Sequence, residues 1–94
     1  MITVVARFQV KNGKTGLFQE LCAELITATR REKGCVSYEL FQDKAEDNKF
    51  CFIEFWETQA DLDAHSASEH FTLLVPQLAD ISDEVVVQTF DKIR

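Results

Sequence analysis

The chain has two histidines, His65 and His70, five residues apart in DAHSASEHF, and a single tryptophan, Trp56, shortly before them. An imidazole titrates near neutrality, so a histidine oriented by a carboxylate can take up and return a proton at physiological pH. His65 and His70 are therefore the candidate acid/base residues; the plainer reading is that each caps or decorates a surface helix. The spacing disfavours a metal site, because five residues of one continuous helix set the two rings ~140° apart, unlike the i, i+3 or i, i+4 pairs that ligate together. Only a break at Ser66-Ala67-Ser68 would let the rings converge, with Glu54, Asp61 or Asp63 as a third ligand.

Trp56 closes the run KFCFIEFWET, in which Phe50, Phe52, Glu54 and Trp56 share one side of an extended segment. A carboxylate in such a row either lines a cavity or is buried with a partner, and Arg7 on a neighbouring strand is the available cation. Tyr38, the only tyrosine, alternates with Val36 and Leu40, and its hydroxyl needs a partner if it is buried. The chain has no glycine-rich phosphate loop, nucleophile elbow or dinucleotide fingerprint, which argues against flavin and nicotinamide chemistry.

The elements that must position these residues follow from periodicity. ITVVARFQV, residues 2–10, alternates Ile2, Val4, Ala6, Phe8 and Val10 against Thr3, Val5, Arg7 and Gln9, as a strand does. After the turn KNGKTG, the residues Phe18, Leu21, Cys22, Leu25, Ile26 and Thr29 recur at helical spacing. That helix is expected to end at Gly34, with Arg30, Arg31 and Lys33 complementing its dipole. CVSYELFQD (35–43) and KFCFIEFWET (49–58) form a hairpin across KAEDN, with Val36, Tyr38 and Leu40 facing one way and Cys35, Ser37, Glu39 and Phe41 the other. Thr58 and Asp61 make a helix start that runs toward Ser66. Phe71, Leu74, Val75 and Leu78 continue at helical spacing until Pro76 kinks or ends the helix, and EVVVQTFDK (84–92) is the last strand.

The order β-α-β-β-α-β predicts an α+β, ferredoxin-like split β-α-β fold, a four-stranded antiparallel sheet with its helices on one face. Both sides of residues 49–56 are apolar, so the face without helices needs a cover of its own. A second copy of the same sheet, in a homodimer, supplies one. At 94 residues the chain is one domain. A formal charge of −6 excludes a phosphate-backbone ligand and hence a nucleic-acid partner. Cys22, Cys35 and Cys51 lack CxxC spacing and sit in apolar runs, which predicts reduced core thiols. Arg7 interrupts the apolar N-terminus and no run approaches the ~20 residues of a membrane span, so no membrane partner is expected and a cytoplasmic location is.

GCVSYELFQD, FCFIEFWET and LDAHSASEHF, preceded by ITVVARFQVKNGK, resemble the antibiotic biosynthesis monooxygenase family, which includes quinol monooxygenases, over nearly the whole chain. The resemblance implies a ferredoxin-like fold and a dimer whose two sheets pack together as an α+β barrel. It implies oxidation of quinols and phenols to quinones by molecular oxygen without metal or organic cofactor, although other members isomerise small phosphorylated compounds or degrade haem. It places functional residues at Trp56, Glu54, His65 and His70. Haem breakdown is put in doubt, because the first strand carries Arg7 instead of an asparagine and the tryptophan lies in a strand instead of the second helix.

The expected activity is thus oxygenation of a small aromatic substrate. His65 or His70 would remove a phenolic proton, Trp56, Phe52 and Tyr38 would enclose the ring, and Glu54 or Arg7 would orient polar groups. The alternatives are an isomerase of a small carbonyl compound and a non-catalytic dimeric module that binds a hydrophobic metabolite.

Overall fold

A computed structural model describes residues 1–94. The elements run β1 (Ile2–Val10), α1 (Thr15–Thr29), β2 (Cys35–Gln42), β3 (Lys49–Trp56), α2 (Gln59–Ser66), α3 (Glu69–Asp80) and β4 (Ser82–Asp91). The sheet order is β2-β3-β1-β4 with every neighbouring pair antiparallel, which is the expected ferredoxin-like α+β topology. No helix is long and apolar enough to cross a membrane.

The alternation in β1 and β3 sorts as the pattern requires. Val4, Ala6, Phe8 and Val10 of β1 and Phe50, Phe52, Glu54 and Trp56 of β3 are all buried beneath the helices. Phe18 of α1 is the keystone of that layer, its ring 5.3 Å from Phe8 and 4.9 Å from Phe50. Burying a side chain of this size contributes roughly 1.5–3 kcal/mol, so a row of them outweighs the cost of ordering short strands. On the other face Phe41, Phe55, Val86 and Phe90 remain exposed, so the sheet does have two apolar sides.

Four expectations change. α1 ends at Thr29 instead of Gly34: Arg31 N–H and Glu32 N–H bond three residues back, to Ala28 and Thr29, and tighten the chain into a turn that leaves the basic residues beyond the helix. In β2 the register shifts between Cys35 and Ser37, so Cys35 pairs with Trp56 on the helix side with Tyr38, while Val36 is the extra, exposed residue. Of the two outcomes expected at Pro76, the helix does not end there, because α3 runs through it to Asp80. The carbonyl deprived of its donor belongs to exposed Thr72, where water can serve it, while Leu74 and Leu78 stay buried on the opposite side. Finally, the single second helix is two, α2 and α3, split at Ala67-Ser68, and β4 begins at Ser82. All three cysteines are free, but only Cys22 is in the core, where burial pushes its thiol up to about 12.

Gly34 closes the turn after α1 with φ +80°, and a Cβ there would run into the Asp61 carboxylate at the start of α2. Its carbonyl accepts from Glu57 N–H at 2.9 Å. The glycine therefore lets the α1–β2 turn press against α2, which places Glu32 below the α2–α3 junction. Gly34→Ala is expected to cost about 2 kcal/mol, a drop in Tm of roughly 8–16 °C in thermal unfolding. A native Tm in that variant would show that neither the backbone angle nor the close approach matters.

Candidate active site

Two local devices bring the chemistry together. Thr58 Oγ1 accepts from Asp61 N–H and donates to the Asp61 carboxylate at 2.8 Å, which fixes the start of α2. Ser68 caps α3 by accepting from Phe71 N–H and donates its hydroxyl proton to the His65 carbonyl at 2.7 Å. The chain breaks direction between these caps, so His65 at the end of α2 and His70 at the start of α3 approach to 6.1 Å between ring centroids. The angle that would hold them apart on a continuous helix does not apply.

The carboxylate that meets them is Glu32. One of its oxygens, Oε2, lies 2.7 Å from His65 Nδ1 and 2.9 Å from His70 Nε2. A carboxylate only accepts, so both nitrogens donate to it, and neutral His65 must carry its proton on Nδ1. Its other nitrogen, Nε2, is buried and has no hydrogen-bond partner. Glu54, Asp61 and Asp63 do not join the histidines: Glu54 accepts from Trp56, Asp61 from Thr58 and Asp63 from Gln59.

A cavity of about 220 Å³ opens between the sheet and α2 and α3. Phe52, Tyr38, Phe71 and Val75 give it apolar walls, and Glu54 and His65 are the buried polar residues that reach it. Trp56 lies behind this wall, its indole 4.6 Å from the His65 ring and its Nε1–H donating to Glu54 Oε1 at 3.0 Å. The tryptophan therefore holds the Glu54 carboxyl and packs on the His65 ring without lining the cavity, and His70 reaches only Glu32, which it shares with His65.

Arg7 is the sequence candidate that the fold takes away. It faces the open side of the sheet, opposite Cys51 and Val86, and donates to Gln88, so it neither pairs with Glu54 nor reaches the cavity. The reason is parity, since Arg7 and Glu54 occupy strand positions of opposite facing. Glu32 is the residue that sequence reasoning missed. Its one signal is a lone acid among Arg30, Arg31 and Lys33 next to a helix C-terminus, where the dipole opposes a negative charge.

Burial, opposed by the Glu32 carboxylate, holds the His65 imidazole below its usual range, so it is neutral at physiological pH. Burial pushes the Glu54 carboxyl up to about 7; the Trp56 N–H opposes the shift and the Glu32 charge adds to it. Burial and the Glu54 charge raise the Tyr38 phenol. The site thus combines a neutral base with a carboxyl poised between its two forms.

Glu54 also sets a pH dependence. The folded chain keeps the Glu54 proton up to about 7, while the unfolded chain releases it near 4.5, so this group lowers stability as pH rises through that window. The loss above the window is on the order of 3 kcal/mol. Glu54→Gln retains an acceptor for Trp56 and removes the titration, so the native-minus-variant difference in Tm should fall steadily from pH 5 to pH 8. A flat difference curve would mean that Glu54 is ionised throughout.

The profile of the antibiotic biosynthesis monooxygenase family matches residues 1–76, which include Glu32, Tyr38, Glu54, Trp56, His65 and His70. The Synechocystis protein sll1783, which is uncharacterised, is 36% identical over 80 residues, 85% of this chain and 54% of that protein. The chain thus spans about half the length of that relative. The Bacillus subtilis protein named "Putative monooxygenase YcnE" is 32% identical over 71 residues, 76% of this chain and 75% of its own. Among solved structures, a conserved protein from Methanosarcina mazei superposes with a TM-score of 0.94 at 35% identity, over 97% of this chain and 91% of its own. A crystal structure of an antibiotic biosynthesis monooxygenase gives a TM-score of 0.94 at 36% identity, with both chains fully covered. Profile, relatives and superposition agree on one assignment: the chain belongs to the antibiotic biosynthesis monooxygenase family.

Proposed function

We propose that the protein is a cofactor-independent monooxygenase that oxidises a phenol or quinol of one or two rings to a quinone with molecular oxygen. The observation that supports this most is His65, held through Nδ1 by Glu32 while Nε2 is buried without a partner on a residue that lines an apolar cavity. A phenolic hydroxyl in that cavity would be the missing partner. An apolar cavity of ~150 Å³ accepts benzene, so about 220 Å³ has room for one ring or two fused rings.

In this scheme His65 Nε2 takes the phenolic proton and Glu32 stabilises the imidazolium. The phenolate passes one electron to oxygen, giving superoxide and an aryloxyl radical, which avoids the forbidden direct reaction of a closed-shell ring with triplet oxygen. The two radicals join at the para carbon as a peroxide. The His65 imidazolium returns its proton to the outer peroxide oxygen, the para carbon loses its hydrogen as a proton, the O–O bond breaks, and the hydroxide released takes up that proton as water. One oxygen atom stays on carbon, and a phenol with hydrogen at that position plus O₂ becomes quinone plus H₂O with every electron supplied by the substrate; a quinol, whose para carbon already bears oxygen, instead gives quinone plus H₂O₂. Phe52, Tyr38 and Phe71 enclose the ring, and the Glu54 carboxyl in its neutral form donates to a substrate oxygen.

His65→Ala should lower oxygen uptake with a dihydroxynaphthalene by roughly 10² to 10⁴, measured on metal-stripped protein with an anaerobic control. Native turnover in that variant sinks the base assignment. Turnover of a carbonyl compound without oxygen would favour an isomerase, and tight binding without turnover a binding module.

We also propose that two chains pair through their open sheet faces. Phe41, Phe55, Val86 and Phe90 are each 36–47% exposed there, apolar area around the Arg7–Gln88 pair that a second copy would remove from water. Sedimentation of the native chain should report a dimer, and Phe55→Asp a folded monomer. A native monomer at micromolar concentration would overturn the pairing.

A further inference from the structure

The reading above uses the Glu32–His65 pair but leaves unexplained why a second imidazole converges on the same carboxylate oxygen. We propose that Glu32, His65 and His70 form a binding site for a divalent late transition-metal ion such as Zn²⁺, and that the bound ion turns His65 Nε2 from a proton acceptor into a donor. The second half rests on the functional reading given above; the first stands on geometry alone.

The three ligand atoms, Glu32 Oε2, His65 Nδ1 and His70 Nε2, all lie within 4.8 Å of one another. Ligand bonds of ~2.1 Å in a tetrahedral site put donor atoms about 3.4 Å apart, so the carboxylate must move outward from its 2.7 and 2.9 Å contacts and the two imidazole nitrogens must settle at that spacing. Glu32 stands in the turn between α1 and β2, outside any helix or strand, and His70 is partly exposed at the start of α3, so both side chains have room to adjust. Two imidazoles and one carboxylate suit zinc, copper, nickel or iron and do not suit magnesium or calcium, which prefer all-oxygen shells.

Burial grades across the site from one side. The His65 side chain is 2% exposed, Glu32 16% and His70 23%, so an ion can enter past His70 and Glu32 and keep its remaining positions toward solvent. Glu32 and His70, which flank this route, do not line the cavity.

The consequence for His65 follows from counting ring protons. Without metal, Nδ1 holds the proton for Glu32 and Nε2 offers a lone pair. A metal on Nδ1 takes that lone pair, so a neutral ring must carry its proton on Nε2. The ion and the phenolic proton therefore compete for opposite tautomers of one imidazole, and occupation of the site blocks proton removal in the cavity without entering it. Glu32, no longer free to stabilise an imidazolium, adds to the block.

The test uses the metal-stripped full chain and Zn²⁺ alone. Calorimetric titration should show one ion per chain, and saturation should raise the Tm by about 5 °C or more. Both effects should be lost in Glu32→Gln and His70→Gln and kept in Cys35→Ser, which excludes a thiol site; Mg²⁺ should give neither. The imidazole ¹⁵N–¹H correlation of His65 should move from Nδ1–H to Nε2–H on loading, a readout that requires no turnover. Oxygen uptake by the native chain should fall at least ten-fold with Zn²⁺, and uptake by His70→Gln, whatever its own rate, should not respond. Absence of binding, or binding that survives both substitutions in folded protein, overturns the site while leaving His65 as a base. Binding without the tautomer change overturns the switch. An inactive native chain that still binds zinc and changes tautomer overturns the monooxygenase reading alone.

Discussion

Both histidines depend on a single oxygen atom. Glu32 Oε2 accepts from His65 on α2 and from His70 on α3, and it does so from a turn that α1 leaves behind. Hydrogen bonds to a charged group contribute about 1.5–3 kcal/mol each, more than a neutral pair in the same place. They offset the cost of holding a carboxylate half-buried beside a helix C-terminus, where the dipole works against it. Without that carboxylate, His65 would have no fixed tautomer and α2 and α3 would lose a contact they share.

The sheet divides its two faces between two tasks. The face beneath the helices holds the aromatic core and then, toward one end, exchanges hydrophobic residues for Glu54 and the Trp56 indole without losing burial. Glu54 is tolerated there because the indole N–H satisfies one of its oxygens and because it can stay protonated near neutrality. The opposite face carries Arg7 and Gln88 among apolar residues. The division explains why Arg7, the one cation on β1, serves the open face and contributes nothing to the cavity.

Much of this was legible from residue order. Alternation in residues 2–10 and 49–56 assigned the core face correctly, including Glu54 and Trp56 on the same side as Phe52, because side-chain parity in a strand leaves no other arrangement. The Thr58 start of α2 was equally plain, since a capping side chain acts within four residues. Three features were not legible. The bulge at Val36 shifts Cys35 to the helix side, and no local pattern marks it. Pro76 sits inside a helix because burial of Leu74 and Leu78 outweighs the missing backbone bond, a balance between distant contacts and local propensity. Glu32 looked like one charge among four at a helix end.

Local rules, acting over two to four residues, account for the strands, the caps, the apolar faces and the identity of the two imidazoles as the groups able to move a proton near neutrality. They carry no information about which carboxylate those imidazoles meet. His65 lies 33 residues from Glu32 and His70 38, and the contact exists because Gly34 admits a close approach of the α1–β2 turn to α2 and because the chain turns at Ala67-Ser68. Long-range packing therefore chose Glu32 over Glu54, Asp61 and Asp63, and with that choice left His65 Nε2 buried without a partner.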